Sequence, residues 1–155
     1  MNLDRTRAAS GDEQMSQALH GLLAGVGRLS RTLFEIGGFE LPRSSVGVLA
    51  ALEDEPLRVT DLPPLVGLTQ PRVTTVLHDL HERGLVEKHR STDDRRVVRV
   101  QLTAAGRDLL RDSRERTAAV LLDGLRSHVD DPGEAVAAAR KAVVTLLDAL
   151  ESEAR

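Results

Sequence analysis

The sequence predicts a mainly α fold with one small β-hairpin, on three observations. Apolar residues make up 41% of the 155, yet Phe34 and Phe39 are the only aromatics, so the core must be built from Leu, Val and Ala, which favours helices over a β-sandwich. Two long segments near the ends repeat apolar residues every three or four positions. Between them, residues 85–102 change to an alternating pattern around a polar tip, as a hairpin requires.

Taken in order, Met15, Leu19, Leu22, Val26, Leu29, Leu33 and Ile36 form a seam along a long first helix that Gly37-Gly38 ends. A second helix is expected from Arg43 to Glu53, with Val46, Leu49, Ala50 and Leu52 inward and Pro56 beyond its end. Thr60 is the expected N-cap of a short third helix carrying Leu62, Leu65 and Val66, and Gly67 stops it. Thr69 is the expected cap of a fourth, in which Val73, Val76, Leu77 and Leu80 make one buried stripe. Gly84 stands where a left-handed residue is wanted before the strand Leu85–Arg90, and Val98, Val100 and Leu102 alternate on the return strand. Thr103 then caps a long fifth helix, Asp130-Asp131-Pro132-Gly133 turns the chain, and Val136, Ala139, Val143, Leu146 and Leu150 repeat the seam on a last helix.

This order, a short helix, a second helix with a polar outer face, then a hairpin with an arginine tip, is that of a winged helix-turn-helix. The expected division is a flexible tail at 1–13, a winged helix-turn-helix DNA-binding domain at 41–103, and a helical dimerisation region at 14–40 and 104–155. The terminal seams exceed what a small reader domain needs for its own core, so a second copy of the chain is the expected partner.

The formal charge of −3 becomes compatible with DNA once it is divided along the chain. Residues 68–99 hold 7 basic and 5 acidic residues, against 6 and 9 before them and 8 and 10 after. Local potential governs phosphate contact, so an acidic scaffold behind a basic face suffices. With no cysteine, disulfides, thiolate metal sites and thiol redox chemistry are excluded. No stretch approaches the ~18 apolar residues of a membrane span, and a cytoplasmic location without membrane contact is expected.

On the fourth helix Thr69, Gln70, Arg72, Thr74, Thr75 and His78 are the expected DNA-facing residues: Gln matches adenine, Arg matches guanine, and Thr methyls match thymine. Ordinary capping and surface polarity is the competing reading of each. Arg95 and Arg96 at the hairpin tip are assigned to a narrow minor groove, with Asp94 supporting the Arg96 guanidinium. Ser44 and Thr60 can bond phosphates, or cap helices and nothing more. Arg28, Arg31, Phe34, Phe39 and Arg43 could line a pocket for an aromatic carboxylate; core phenylalanines beside a solvated charged face is the alternative. His78 and His81 lie one turn apart, but no cysteine or nearby carboxylate completes a metal site, so neither metal nor cofactor is expected. No nucleophile elbow, phosphate loop or committed carboxylate pair points to an enzyme.

From residue 14 to 153 the chain resembles the MarR family of transcriptional regulators, most specifically in DDRRVVRVQLTAAG at Asp93–Gly106, which fits that family's Asp-x-Arg, alternating strand and Leu-Thr-x-x-Gly, and in ERGLVEK at Glu82–Lys88. The resemblance implies a homodimer held by its terminal helices. It also implies recognition helices in successive major grooves, wing arginines in the minor groove, and small anionic or phenolic inducers between the dimer helices and the reader. Two places depart from the pattern: Leu41, Pro42 and Ser45 stand where Leu-Thr-x-x-Gln is common, and Pro63-Pro64 interrupts the usual Leu-Ala-x-x-Leu. The expected function is therefore a double-stranded-DNA-binding repressor, homodimeric and released by a small effector. A winged-helix protein-interaction module without DNA, or a constitutive DNA binder, is the alternative.

Overall fold

The computed structural model describes residues 3–90 and 97–153. Their order is α1 (Leu3–Gly37), α2 (Arg43–Ala51), β1 (Leu57–Arg58), α3 (Leu62–Val66), α4 (Gln70–Glu82), β2 (Val86–Arg90), β3 (Val98–Leu102), α5 (Ala104–His128) and α6 (Pro132–Glu153). Two compact units are present, Met1–Arg114 and Glu115–Arg155.

The first unit is built on one core. Val48, Leu49 and Leu52 from the α2 region, Leu62 from α3, the α4 stripe Val73, Val76, Leu77 and Leu80, and Val86, Val100 and Leu102 from the sheet are all buried, with Leu110 of α5. Each is aliphatic, and their burial drives the packing of α2, α3 and α4 against the sheet. The inner face of α2 is Ser45, Val48 and Leu49, whereas Ala50 is exposed, so the helix is rotated from the face read from sequence. It also ends at Ala51 rather than Glu53. α1 begins at Leu3, so the segment expected as a tail at 1–13 is helical from that residue; its Arg and Ala residues extend a helix at small cost.

Prolines decide the start of α3. With Asp61 at the N-cap, Pro63 and Pro64 fall at the second and third helical positions, where a capping side chain would otherwise find its N–H donors. No side chain can cap this helix in the usual way, and Thr60, expected as its cap, instead donates to Asp61 Oδ1 at 3.2 Å. Thr69 does occupy the N-cap of α4 with extended backbone, but its hydroxyl makes no capping bond. Pro71 removes one of the two N–H groups it would serve.

The sheet has the order β1-β3-β2, all antiparallel. β2 and β3 are the two arms of the expected hairpin, with Val86 opposite Leu102 and Lys88 opposite Val100. β1 is an addition to it: Leu57 and Arg58 pair with Val100 and Arg99, and Val59 N–H donates to Val98 O at 3.1 Å.

The joint between the hairpin and α5 explains the Leu-Thr-x-x-Gly pattern. Gly84 has φ +69°, which turns the chain out of α4. Thr103 then accepts from Gly106 N–H at 3.1 Å, capping α5, while its hydroxyl donates to Gly84 O at 2.7 Å. Gly106 is buried because its backbone sits on the Leu85 carbonyl: a Cβ there would lie 2.2 Å from that oxygen.

Candidate nucleic-acid interface

α4 turns Val73, Val76, Leu77 and Leu80 into the core, so at about 100° per residue its outward face is centred on Pro71, Thr75 and His78, with Arg72 and Thr74 on either edge. All five are exposed, as are Gln70 and the N-cap Thr69. The expected reading residues thus share one solvent-facing surface at the start of a helix. Within it the hydroxyls are already engaged: Thr74 donates to Gln70 O at 3.0 Å and Thr75 to Pro71 O at 3.1 Å. Their protons point back along the helix.

Beside this surface is a cleft of about 390 Å³. Thr74 and Leu77 of α4 form one side, Arg58, Val59 and Thr60 another, and Lys88, Val97 and Val98 of the hairpin the third. Thr60 and Thr74, expected to serve phosphate and base respectively, therefore meet across one opening. Ser44 is half-buried on the first turn of α2 and is not among the cleft residues.

Arg58 and Lys88 were not singled out from sequence. β1 is too short for any periodic signal, and its partner lies forty residues later. Lys88 carried a readable sign: it shares the inward face of β2 with Val86, a place where an apolar residue is the rule. A cation there marks the rim of an opening. Arg58 also pairs with Arg99, which in turn faces His89, so three basic side chains cross the sheet in one row. Like charges directly opposite are unfavourable in a sheet unless an anion or a polar acceptor meets them. Arg99 finds Pro56 O at 3.2 Å, and His89 lies 3.4 Å from Glu87. Gln101 donating to Glu87 at 2.6 Å, with His89 beside it, holds that carboxyl below its ordinary value.

Arg95, Arg96 and Asp94, the expected wing tip and its support, lie outside the described residues.

The proposed effector residues divide. Phe34 and Phe39 stack with ring centres 5.6 Å apart, and the Arg43 guanidinium stands 5.2 Å above the Phe34 ring. Arg43 also donates to Ser30 Oγ at 2.6 Å and Ser30 O at 3.2 Å, which fastens α2 to α1. Arg28 and Arg31 are exposed on α1, and none of the described contacts joins them to this group. His81, half of the histidine pair weighed for metal, has Nδ1 3.2 Å from Val86 O. Among the described residues no three His, Asp or Glu side chains are grouped to hold a metal.

Residues 39–97, which hold α2, α3, α4, β1 and β2, match the model of the MarR family. Over that segment, a little over a third of its length, the chain is similar to the MarR family. The chain is 31% identical over 83 residues to the uncharacterized HTH-type transcriptional regulator YpoP of Bacillus subtilis (strain 168), covering 53% of this chain and 59% of that protein. It is 30% identical over 64 residues to the transcriptional repressor MprA of Escherichia coli (strain K12), covering 41% of this chain and 36% of the repressor. The alignments thus span little more than half of the first relative and about a third of the second. The fold extends beyond the MarR segment: NadR, solved in complex with 4-hydroxyphenylacetate, superposes with a TM-score of 0.66 at 22% identity, covering 87% of this chain and 90% of that one.

Proposed function

We propose that the protein is a sequence-specific, double-stranded-DNA-binding transcriptional regulator that acts as a homodimeric repressor and is released by a small aromatic or anionic ligand. The observation that carries this reading is the outward start of α4, with Gln70, Arg72 and Thr75 exposed, flanked by a cleft bearing Arg58 and Lys88. A helix N-terminus of that chemistry fits a major groove, and cations beside it fit the phosphates that border one. Arg96 of the wing tip is assigned the adjacent minor groove, with Arg95 and Asp94 beside it. Ser44 and Thr60 supply phosphate bonds. The matched relatives named as transcriptional regulator and repressor support the same role, carried out in the cytoplasm and without enzymatic chemistry. No described helix is long and apolar enough to cross a membrane.

The dimer rests on uncovered apolar side chains. On α1, Met15 is 63% exposed and Val26 50%; on α6, Val143 is 56% exposed and Leu150 69%. Stripes this long and apolar are stable in water only when covered, and a second copy covers them symmetrically. The reader is then 41–103, and the helices within 14–40 and 104–155 join the two copies. Its half-sites would lie about one helical turn apart on DNA, and the bound dimer would occlude a promoter.

Ligand release rests on Phe34, Phe39 and Arg43, an aromatic pair under a cation at the α1–α2 joint, where an aromatic acid could compete for Arg43 with Ser30. Arg28 and Arg31 would add long-range attraction. 4-Hydroxyphenylacetate, bound in the NadR structure, is the first compound to try in a thermal shift, with Arg43→Ala expected to lose the response.

The deciding experiment is a mobility shift on the gene's own upstream duplex. Affinity is expected to fall about 10³-fold or more between about 50 and 200 mM salt, since each phosphate contact releases a counterion. Arg96→Ala should weaken all sites, whereas Arg72→Ala should also relax preference at one base pair by about 1–3 kcal/mol. A salt-insensitive complex, or none, refutes the proposal. Val143→Glu is expected to yield monomers in sedimentation at micromolar concentration, and an unchanged dimer would remove α6 from the interface.

A further inference from the structure

We infer that α4 reads its operator half-site through an apolar strip, Pro71 with the Thr75 methyl, which packs on the C5 methyl of a thymine. The inference rests on the DNA-binding role and assigns a chemistry within it.

Two observations converge. Thr75 sits at the centre of the outward face of α4, yet its hydroxyl proton is spent on Pro71 O at 3.1 Å, so it is not available to a base oxygen or nitrogen. The staggered geometry at Cβ then leaves the methyl group, with an oxygen lone pair, as what Thr75 offers outward. Pro71, one turn earlier on the same face, is exposed and carries no N–H, so it too presents only carbon. Thr74 repeats the arrangement, donating to Gln70 O at 3.0 Å. The hydrogen-bonding readers, Gln70 and Arg72, flank this strip. In the major groove the only apolar group on any base edge is the thymine methyl. A carbon strip between two bidentate side chains therefore selects thymine at the step between the bases they read.

The test begins by enriching a bound sequence from a random duplex pool with the unaltered protein. Each thymine of the enriched half-site is then replaced by uracil, which removes one methyl and leaves every hydrogen-bonding group. One or two positions are expected to lose about fourfold in affinity, the worth of one buried carbon. Thr75→Val, which keeps the methyl and discards the hydroxyl, should bind the thymine duplex within about twofold of the unaltered protein and keep the uracil response. Thr75→Ser, which does the reverse, should lose about fourfold and become indifferent to uracil there. A serine variant that keeps both affinity and uracil response overturns the methyl reading. So does a valine variant that falls while serine does not, or indifference to uracil at every position. Failure to enrich any sequence overturns the DNA-binding role itself, and the methyl reading with it.

Discussion

Replacing Gly106 with alanine tests the joint on which the wing is mounted. The new Cβ would stand 2.2 Å from Leu85 O, and 3.2 Å from Leu85 C, against backbone rather than a movable side chain. Nearly an ångström of relief is needed to reach the 3.0 Å below which real Cβ contacts essentially do not occur. The first turn of α5 must therefore lift away from the start of β2. The same Leu85 carbonyl accepts from Thr103 N–H at 3.1 Å, so the movement strains a hydrogen bond as well. Overpacking of this kind costs about 1–3 kcal/mol and a weakened buried hydrogen bond about 1 kcal/mol, offset by about 0.5–1 kcal/mol because alanine is the better helix former. The net loss is about 1–3.5 kcal/mol. With an unfolding entropy of about 2.1 cal/mol/K per residue over the 155-residue chain, the melting temperature should fall by about 3–11 °C. The assay is thermal unfolding followed by circular dichroism, at one fixed protomer concentration because association raises apparent stability. Gly47→Ala is the control: this helical glycine has open space where a Cβ would go, so the change should stabilise by about 0.5–1 kcal/mol. A Gly106→Ala protein that melts no lower than the unaltered one, or a Gly47→Ala protein that falls as far, would refute the reasoning.

Thr103→Val removes both the α5 cap and the bond to Gly84 O, and chemical denaturation should show a loss of about 1–2 kcal/mol without a change in m-value. Glu53 is held below its ordinary 4.5 by the hydrogen bonds from Arg114, so its contribution to stability is present above that value and lost as pH falls through the lowered one. Glu53→Gln should therefore cost about 0.5–1 kcal/mol at neutral pH, reduced by salt because the pair is partly exposed, and nothing near pH 2; melts across that range check it, and a cost that persists in acid would be wrong for an ion pair. Arg58→Ala and Lys88→Ala should each reduce the log–log salt slope of DNA binding by about 0.9 if each neutralises one phosphate, with no change in base preference. An unaltered slope removes that residue from the backbone contacts.

What could be read from sequence was whatever repeats locally. The α4 stripe Val73, Val76, Leu77 and Leu80 is buried as its 3.6-residue spacing requires, and Gly84 is left-handed where a helix stop was expected. Leu57-Arg58 escaped because two residues have no period, and their strand exists only because Val100 and Arg99 lie beside them. Thr69 takes the N-cap position expected of it but makes no side-chain bond, and Asp61 rather than Thr60 is the N-cap of α3; the prolines that follow, which remove N–H groups a cap would serve, were legible in the sequence. Candidate site residues could be picked by type and place on the helix, but their hydrogen bonding could not. Thr75 reads the same in sequence whether its hydroxyl or its methyl faces outward, and only the bond to Pro71 O decides between them.

The same distinction applies to the family pattern. Leu-Thr-x-x-Gly is a string in the sequence, and nothing in the string says why glycine closes it. In the fold each member has a separate cause: Leu102 fills the core, Thr103 joins the cap of α5 to the stop of α4, and Gly106 leaves room for the Leu85 carbonyl. Because these contacts link the end of the α4 to both ends of the hairpin, the position of the wing relative to the outward face of α4 is set at this joint. A change there should alter DNA affinity without touching a DNA-facing residue. In the proposed complex Arg72 and Arg96 would engage two grooves at once, and this joint would set whether they can.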